Sequence, residues 1–199
     1  MRRPNRKGEG ALLRDEILRA AAIALNEAGA DSAVSLRAIA RQAGIAPASV
    51  YEQFTGRDAI LWELRAQGYT RLAAHLRSAL TPGLDARRRV HALAAAHADF
   101  AAGNPGEYRL LFEAEQTPIP LDRLKEMPLH LVLDAMTDAL RPFVEEHGHQ
   151  HTARELAVVL LSTMHGHLTL WRALPLPPEL DTAAENRARA VDAILGPGR

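Results

Sequence analysis

Three histidines alternate around a glycine in the run His147-Gly148-His149-Gln150-His151. Imidazoles at that spacing can chelate a divalent metal, but no carboxylate is held in place beside them, so the run reads as a solvated turn. Glu113 and Glu115 lie near each other in sequence but point to different helix faces, with no evident partner for acid–base work. No G-x-S-x-G, H-E-x-x-H, G-x-G-x-x-G or Walker A pattern occurs. The absence of cysteine removes thiol nucleophiles, disulfides and thiolate metal sites together. No residue is nominated for catalysis, no cofactor or metal is expected, and an enzyme is not the reading. What remains is the chemistry of recognition.

The residues with a geometry of their own run from Ser35 to Gln53. Ser35 is a good N-cap ahead of a short helix, 36–43, whose Ile39 and Ala40 face inward, and Gly44 stands where a left-handed residue closes it. Pro47 suits the first position of a second short helix that runs to about Gln53. Two short helices joined by a tight glycine-containing turn have the spacing of a helix-turn-helix. Each residue type has its reason: Ala40 lets the second helix approach, Gly44 turns the chain, and Ile45 and Val50 plug the shared core. Ser35 also sets a hydroxyl at the positive end of a helix dipole, a natural grip for a phosphate.

The elements that must hold this segment are helical throughout. The chain has 199 residues with 47% hydrophobic, 24% charged and only 5% aromatic content, ordinary globular values in which helix formers dominate. Glycine, proline and apolar periodicity predict nine helical segments and no strand. One begins near Leu13 and ends before Gly29; another starts beyond Thr55 and ends at Thr81-Pro82-Gly83; a third stops at Gly103-Asn104-Pro105. Pro142 is expected to kink or restart the seventh, and Thr152-Ala-Arg-Glu155 reads as a capping box opening the eighth. Charge is balanced overall, with 24 basic and 24 acidic residues, but through Arg57 there are 9 basic against 6 acidic, leaving +3 there and −3 beyond. The uncharged run Leu156 to Trp171 is short for a bilayer, and charges interrupt Leu12 to Ala24, so neither a membrane span nor a signal segment is expected and the cytoplasm is the simplest location.

Ile17-Leu-Arg-Ala-Ala, then Gly29, then Leu36-Arg-Ala-Ile-Ala-Arg-Gln-Ala-Gly-Ile-Ala-Pro-Ala-Ser-Val-Tyr-Glu-Gln-Phe-Thr-Gly-Arg-Asp-Ala-Ile-Leu61 resembles the TetR family of transcriptional repressors. Tyr108-Arg-Leu-Leu-Phe112 and Leu161-Ser-Thr-Met-His-Gly-His-Leu-Thr-Leu-Trp171 are similar to the subgroup of that family named for a Trp-His-Gly motif, with Met164 in place of the tryptophan. The resemblance implies an all-α protein: an arm and helix-turn-helix DNA-binding domain over 1–57, then a larger helical ligand-binding and dimerisation domain over 58–199. It implies a homodimer that binds a palindromic operator in double-stranded DNA and is released by a small-molecule effector.

On that resemblance Arg37 occupies a position that reaches a base edge, and a guanidinium is the best bidentate reader of guanine. Ala48 and Ser49 begin the recognition helix, where a methyl can meet thymine and a hydroxyl a base or phosphate. Tyr51 is placed on a phosphate, and Gln53 on a phosphate or an adenine edge. Ser35 grips a phosphate, and Arg57 keeps the charge of the family's usual lysine for a backbone contact. Ala46 lacks the usual capping hydroxyl, and Pro47 puts an inert ring on the DNA-facing start of the helix. The arm residues Arg2, Arg3, Arg6 and Lys7 would add counterion-releasing contacts or lie in a minor groove.

In the larger half, the run Leu156 to Trp171 carries no charge on any face, so its helix is expected to be covered by its own bundle and by a partner, and with the last helix it would form the homodimer contact. Small residues such as Ser162 and Gly166 would allow close crossing. His97, His165 and His167, with Phe100, Phe112, Met136 and Trp171, would suit an apolar effector pocket carrying a few orienting donors. The competing class is a helical ligand-binding or assembly module that keeps the helix-turn-helix shape without specific DNA binding. The two readings separate on whether Arg37, Ser49 and Tyr51 are exposed together.

Overall fold

A computed structural model of the chain describes residues 9–28, 34–113, 121–173 and 183–196. Nine α-helices and no strand occur among them: α1 (Glu9–Ala28), α2 (Leu36–Ala43), α3 (Pro47–Gln53), α4 (Arg57–Ser78), α5 (Ala86–Gly103), α6 (Pro105–Phe112), α7 (Leu129–His147), α8 (Ala153–Ala173) and α9 (Ala183–Leu195). A 3-10 segment, Leu121–Glu126, stands in the proline-rich stretch where helical periodicity breaks down. The predicted all-α class holds, with a helix-turn-helix domain at the N-terminus and a helical domain beyond it.

Packing divides the chain into two compact units. One combines Met1–Gly68 with Gly103–Met127, the other Tyr69–Ala102 with Pro128–Arg199. Helix α4 thus begins in the first unit and ends in the second, and α6 packs in the first although it follows α5 in sequence. The expected boundary after Arg57 falls at the start of α4.

In the first unit α1 lies against α2, α3 and α6. Its Ile17, Ala21 and Leu25 meet Ile39 and Ala40 of α2, Val50 of α3 and Leu61 of α4 in one buried cluster. Burial of each such large aliphatic side chain stabilises the unit by about 1.5–3 kcal/mol. Ala40 is 1% exposed, as a residue must be where two helices approach closely.

In the second unit α7 packs on α8 and α8 on α9. Helix α7 runs through Pro142 to His147 without restarting, and closes on Gly148 at φ 58, whose N–H donates to the Val144 carbonyl. The carbonyl that proline deprives of a helical partner belongs to Asp138, an exposed position open to hydration. The capping box forms as read: Thr152 N–H donates to Glu155 Oε2 at 2.8 Å and Glu155 N–H to Thr152 Oγ1 at 3.2 Å. Those bonds, backbone first, hold the Glu155 carboxyl below the usual carboxylate range.

His97 of α5 is fully buried in this unit. Burial, and secondarily the nearby His165, lower its pKa from 6.5 to about 3, so the ring is kept neutral. A ring whose folded pKa lies below its unfolded one leaves full stability above pH 6.5 and erodes it as pH falls towards 3. Urea unfolding of the wild type should therefore lose up to about 1.4 kcal/mol more per pH unit than that of His97→Leu between pH 6.5 and 4.5. Parallel pH profiles for the two proteins would show that the imidazole is not held neutral.

Candidate nucleic-acid interface

Helix α2 starts where Ser35, in extended conformation, accepts the Ala38 N–H on its hydroxyl at 3.2 Å. It ends at Gly44, whose φ of 66 and ψ of 32 are left-handed and whose N–H reaches the carbonyls of Ala40 and Arg41. A β-carbon resists that conformation, which is why glycine stands there. Ile45 N–H continues the turn to the Ala40 carbonyl at 3.0 Å. Helix α3 then opens on Ala46, which offers no side-chain cap, with Pro47 in the first turn needing none of its own.

The seven residues of α3 separate by face. Val50 is fully buried and Phe54, which follows the helix, is 3% exposed. Pro47, Ala48, Tyr51 and Glu52 point outward, with Tyr51 62% exposed, while Ser49 and Gln53 lie half-buried along the flank. On α2, Ser35 and Arg37 are exposed. Of the three residues whose joint exposure separates the two readings, Arg37 and Tyr51 are exposed and Ser49 is half-buried, so the criterion is met only in part; Gln53 is likewise partly accessible. Arg57 is held differently: its Nε donates to the Val34 carbonyl at 2.8 Å and Nη1 stands 3.5 Å from Asp58. Its guanidinium braces the start of α2 against α4 and keeps a quarter of the side chain in solvent. Arg2, Arg3, Arg6 and Lys7 lie outside the described residues.

Two residues of this surface carry no signal in the sequence reading. Glu52 shares the outward face with Tyr51, where a carboxylate can accept from a cytosine amino group. Arg14 of α1 holds the far end of α3: Nη1 donates to the Gln53 carbonyl at 2.5 Å, Nη2 bonds Glu63, and the guanidinium lies 4.0 Å from the centre of the Phe54 ring. A cation at a helix C-terminus satisfies an orphan carbonyl and the dipole together. Nothing in the spacing of α1 distinguishes Arg14 from a solvated charge, because its partners are 39 and 49 residues away.

The residues read as an effector pocket are spread over both units. His97, Phe100 and Met136 are buried in the second and His165 and His167 are half-buried there, with the Phe100 ring 5.9 Å from that of His75. Phe112 belongs to the first unit, its ring 4.9 Å from Tyr108, and the Trp171 side chain lies outside the described residues. His167 also lines a cleft between α8 and α9, with Leu160, Met164, Arg187, Val191 and Ile194. The cleft is shallow and lined by side chains of these two helices alone, a groove between them and not an enclosed cavity. In the histidine run, His147 stacks on Phe143 at 4.3 Å and His149 Nδ1 accepts the His151 N–H at 3.1 Å. Among the described residues no three histidine or carboxylate side chains come together to hold a metal ion.

Helix α8 presents a second uncovered surface within its unit. Val158, Val159 and Leu170 are each nearly half exposed, and Ser162 and Gly166 continue the same stripe at helical spacing. No described helix is long and apolar enough to cross a membrane.

Comparison with known proteins gives two family matches: "Bacterial regulatory proteins, tetR family" over residues 17–64 and "Tetracyclin repressor-like, C-terminal domain" over residues 90–194. The chain is 27% identical over 186 residues to the HTH-type transcriptional activator FasR of Mycolicibacterium smegmatis, covering 91% of this chain and 83% of that protein. A solved protein of unknown function from Rhodococcus sp. RHA1 is 28% identical with a TM-score of 0.76, covering 98% of this chain and 97% of that one. The fold is also that of the transcriptional regulator FadR from Bacillus subtilis, solved in complex with stearoyl-CoA, at 16% identity, a TM-score of 0.72, and coverage of 93% and 99%.

The bracing of α3 by Arg14 has a measurable cost. Arg14→Ala should lower stability by about 1 kcal/mol, the net worth of an ordinary hydrogen bond, since solvent at this half-exposed site screens the charge, read as a fall in the urea midpoint. An unchanged midpoint would mean that the guanidinium is solvated and α3 ends without it.

Proposed function

The chain belongs to the TetR family of bacterial regulatory proteins and is a transcriptional regulator, not an enzyme. From that premise we propose that it binds a palindromic operator in double-stranded DNA as a homodimer, represses the gene under that operator, and is released by a small-molecule effector. The observation that carries the reading is the outward placement of Arg37, Ala48 and Tyr51 on two helices locked by the Gly44 turn. Arg37 then reads guanine, Ala48 meets a thymine methyl, and Ser49 and Gln53 reach a base or phosphate from the flank. Ser35 and Tyr51 fix the register on phosphates, Pro47 shapes the start of the helix, and Arg57 lends charge to the backbone contact. The basic arm adds salt-sensitive affinity. DNA recognition is assigned to residues 1–57 and effector binding and dimerisation to 58–199.

The dimer is supported by the apolar stripe of α8, since valines and a leucine left half exposed beside small residues are the composition of a self-complementary helix contact. Helix α9, packed beside it, completes the surface. The effector is taken to be largely apolar, held among His97, Phe100, Met136, His165 and His167, with Phe112 and Trp171 as further candidates. An acyl-CoA is the class to test first, because the similarly folded FadR was solved with stearoyl-CoA. Acting on DNA, the protein works in the cytoplasm. A second reading, activation in place of repression, is favoured by the name of the FasR relative.

A mobility shift on the intergenic duplex upstream of its own gene tests the proposal. The wild type should discriminate that duplex from random DNA, and Arg37→Ala with Tyr51→Phe should weaken it by about a hundredfold, the effect of losing one bidentate base contact and one phosphate bond. Equal affinity for both duplexes would set the operator reading aside. Deleting the gene in a strain carrying a reporter on that region separates the two signs: output rises for a repressor and falls for an activator.

A further inference from the structure

Helix α6 is eight residues long, and its own N-cap residue, Asn104, makes no side-chain capping bond. The cap arrives from another helix. Asn26, in the last turn of α1, sets its Oδ1 against two N–H groups that open α6, those of Gly106 at 2.9 Å and Glu107 at 3.2 Å. The two backbones touch at the same place: a β-carbon on Gly106 would lie 2.4 Å from the Leu25 carbonyl oxygen and 2.7 Å from the Asn26 α-carbon. Only glycine lets α6 sit there. At the other end of α6, Arg65 of α4 donates from Nε to the Leu110 carbonyl at 2.9 Å, and Arg65 and Glu107 are both buried.

Helix α1, to which α6 is fastened, is also the helix against which α2 and α3 rest. The contact between α1 and α6 is therefore one packing layer from the surface assigned to DNA. We propose that Asn26 and Gly106 form a joint that makes α6 part of the DNA-reading unit, and that Asn26 is a positioning residue for operator binding. It sets the seat of α1, and through it the presentation of α2 and α3, without touching DNA. This rests on the operator reading above. It also gives a reason for an asparagine in the last turn of α1, where helix propensity alone favours a longer aliphatic or charged residue.

The test uses the full-length protein with Asn26→Ala and Asn26→Asp, each checked for wild-type helicity by circular dichroism. Aspartate keeps an oxygen acceptor facing the N–H groups that open α6, where its charge is favoured and offsets the opposing end of the α1 dipole, and alanine keeps none. Hydrogen exchange needs no DNA: in Asn26→Ala the amides of Gly106 and Glu107 should exchange about fivefold faster, and Asn26→Asp should restore them. On the upstream duplex, Asn26→Ala should bind about fivefold more weakly and Asn26→Asp within twofold of wild type. Unchanged exchange in Asn26→Ala, or faster exchange with operator affinity intact, would overturn the proposal. A variant pair equally weak on DNA would overturn it too, since the acceptor would then not be what positions α1. If the wild type itself ignores the duplex, it is the operator reading that fails, and the exchange comparison still decides whether Asn26 holds α6.

Discussion

Gly44 sits at φ 66 and ψ 32, a conformation that costs a residue with a β-carbon roughly 1–2 kcal/mol. Its N–H satisfies carbonyls at the end of α2 while the chain reverses, and Ile45 N–H reaches the Ala40 carbonyl to tighten the same turn. With the turn closed, Val50 and Phe54 fall into the core and the opposite face of α3 has nowhere to go but outward. The exposure of Tyr51 and Ala48 is thus a consequence of the turn. Arg14 and Arg57 then fix the two ends of the arrangement, one on the Gln53 carbonyl and the other on the Val34 carbonyl.

The first 61 residues are the part most open to reading from sequence, because their constraints are local. Ser35 caps, Gly44 turns and Pro47 starts a helix for reasons contained in five or six neighbouring residues. The capping box at Thr152 and Glu155 is legible for the same reason. Arg14, Asn26 and Arg65 are not: each finds its partners 39 to 81 residues away, and no periodicity announces a side chain that caps another helix. The residues proposed for an effector are similarly obscure, since an apolar stripe bearing a histidine looks the same whether it packs a core or lines a pocket. At Pro142 the helix continues without a restart, and the carbonyl left without its helical partner belongs to the exposed Asp138.

Helix α6 shows how chain order and packing part company. It follows α5 after a single residue, Asn104, yet its first turn is capped by α1 and its last turn is tied to α4. Buried Arg65 and Glu107 mark the seat as polar and specific rather than a generic apolar contact. A unit that reads DNA can in this way be larger than the three helices that its motif defines, and the residues that set its geometry need not lie in the motif.

The outward face of α2 and α3 is proposed to recognise a particular duplex electrostatically and by base edges together. The most direct measurement is the salt dependence of binding by fluorescence anisotropy, on the upstream operator and on the same duplex with its half-sites scrambled. Parallel, steep declines with salt are expected on both duplexes, from shared phosphate contacts, separated by a constant affinity gap of at least a hundredfold from base readout. Coincident curves, or binding that ignores salt, would contradict it.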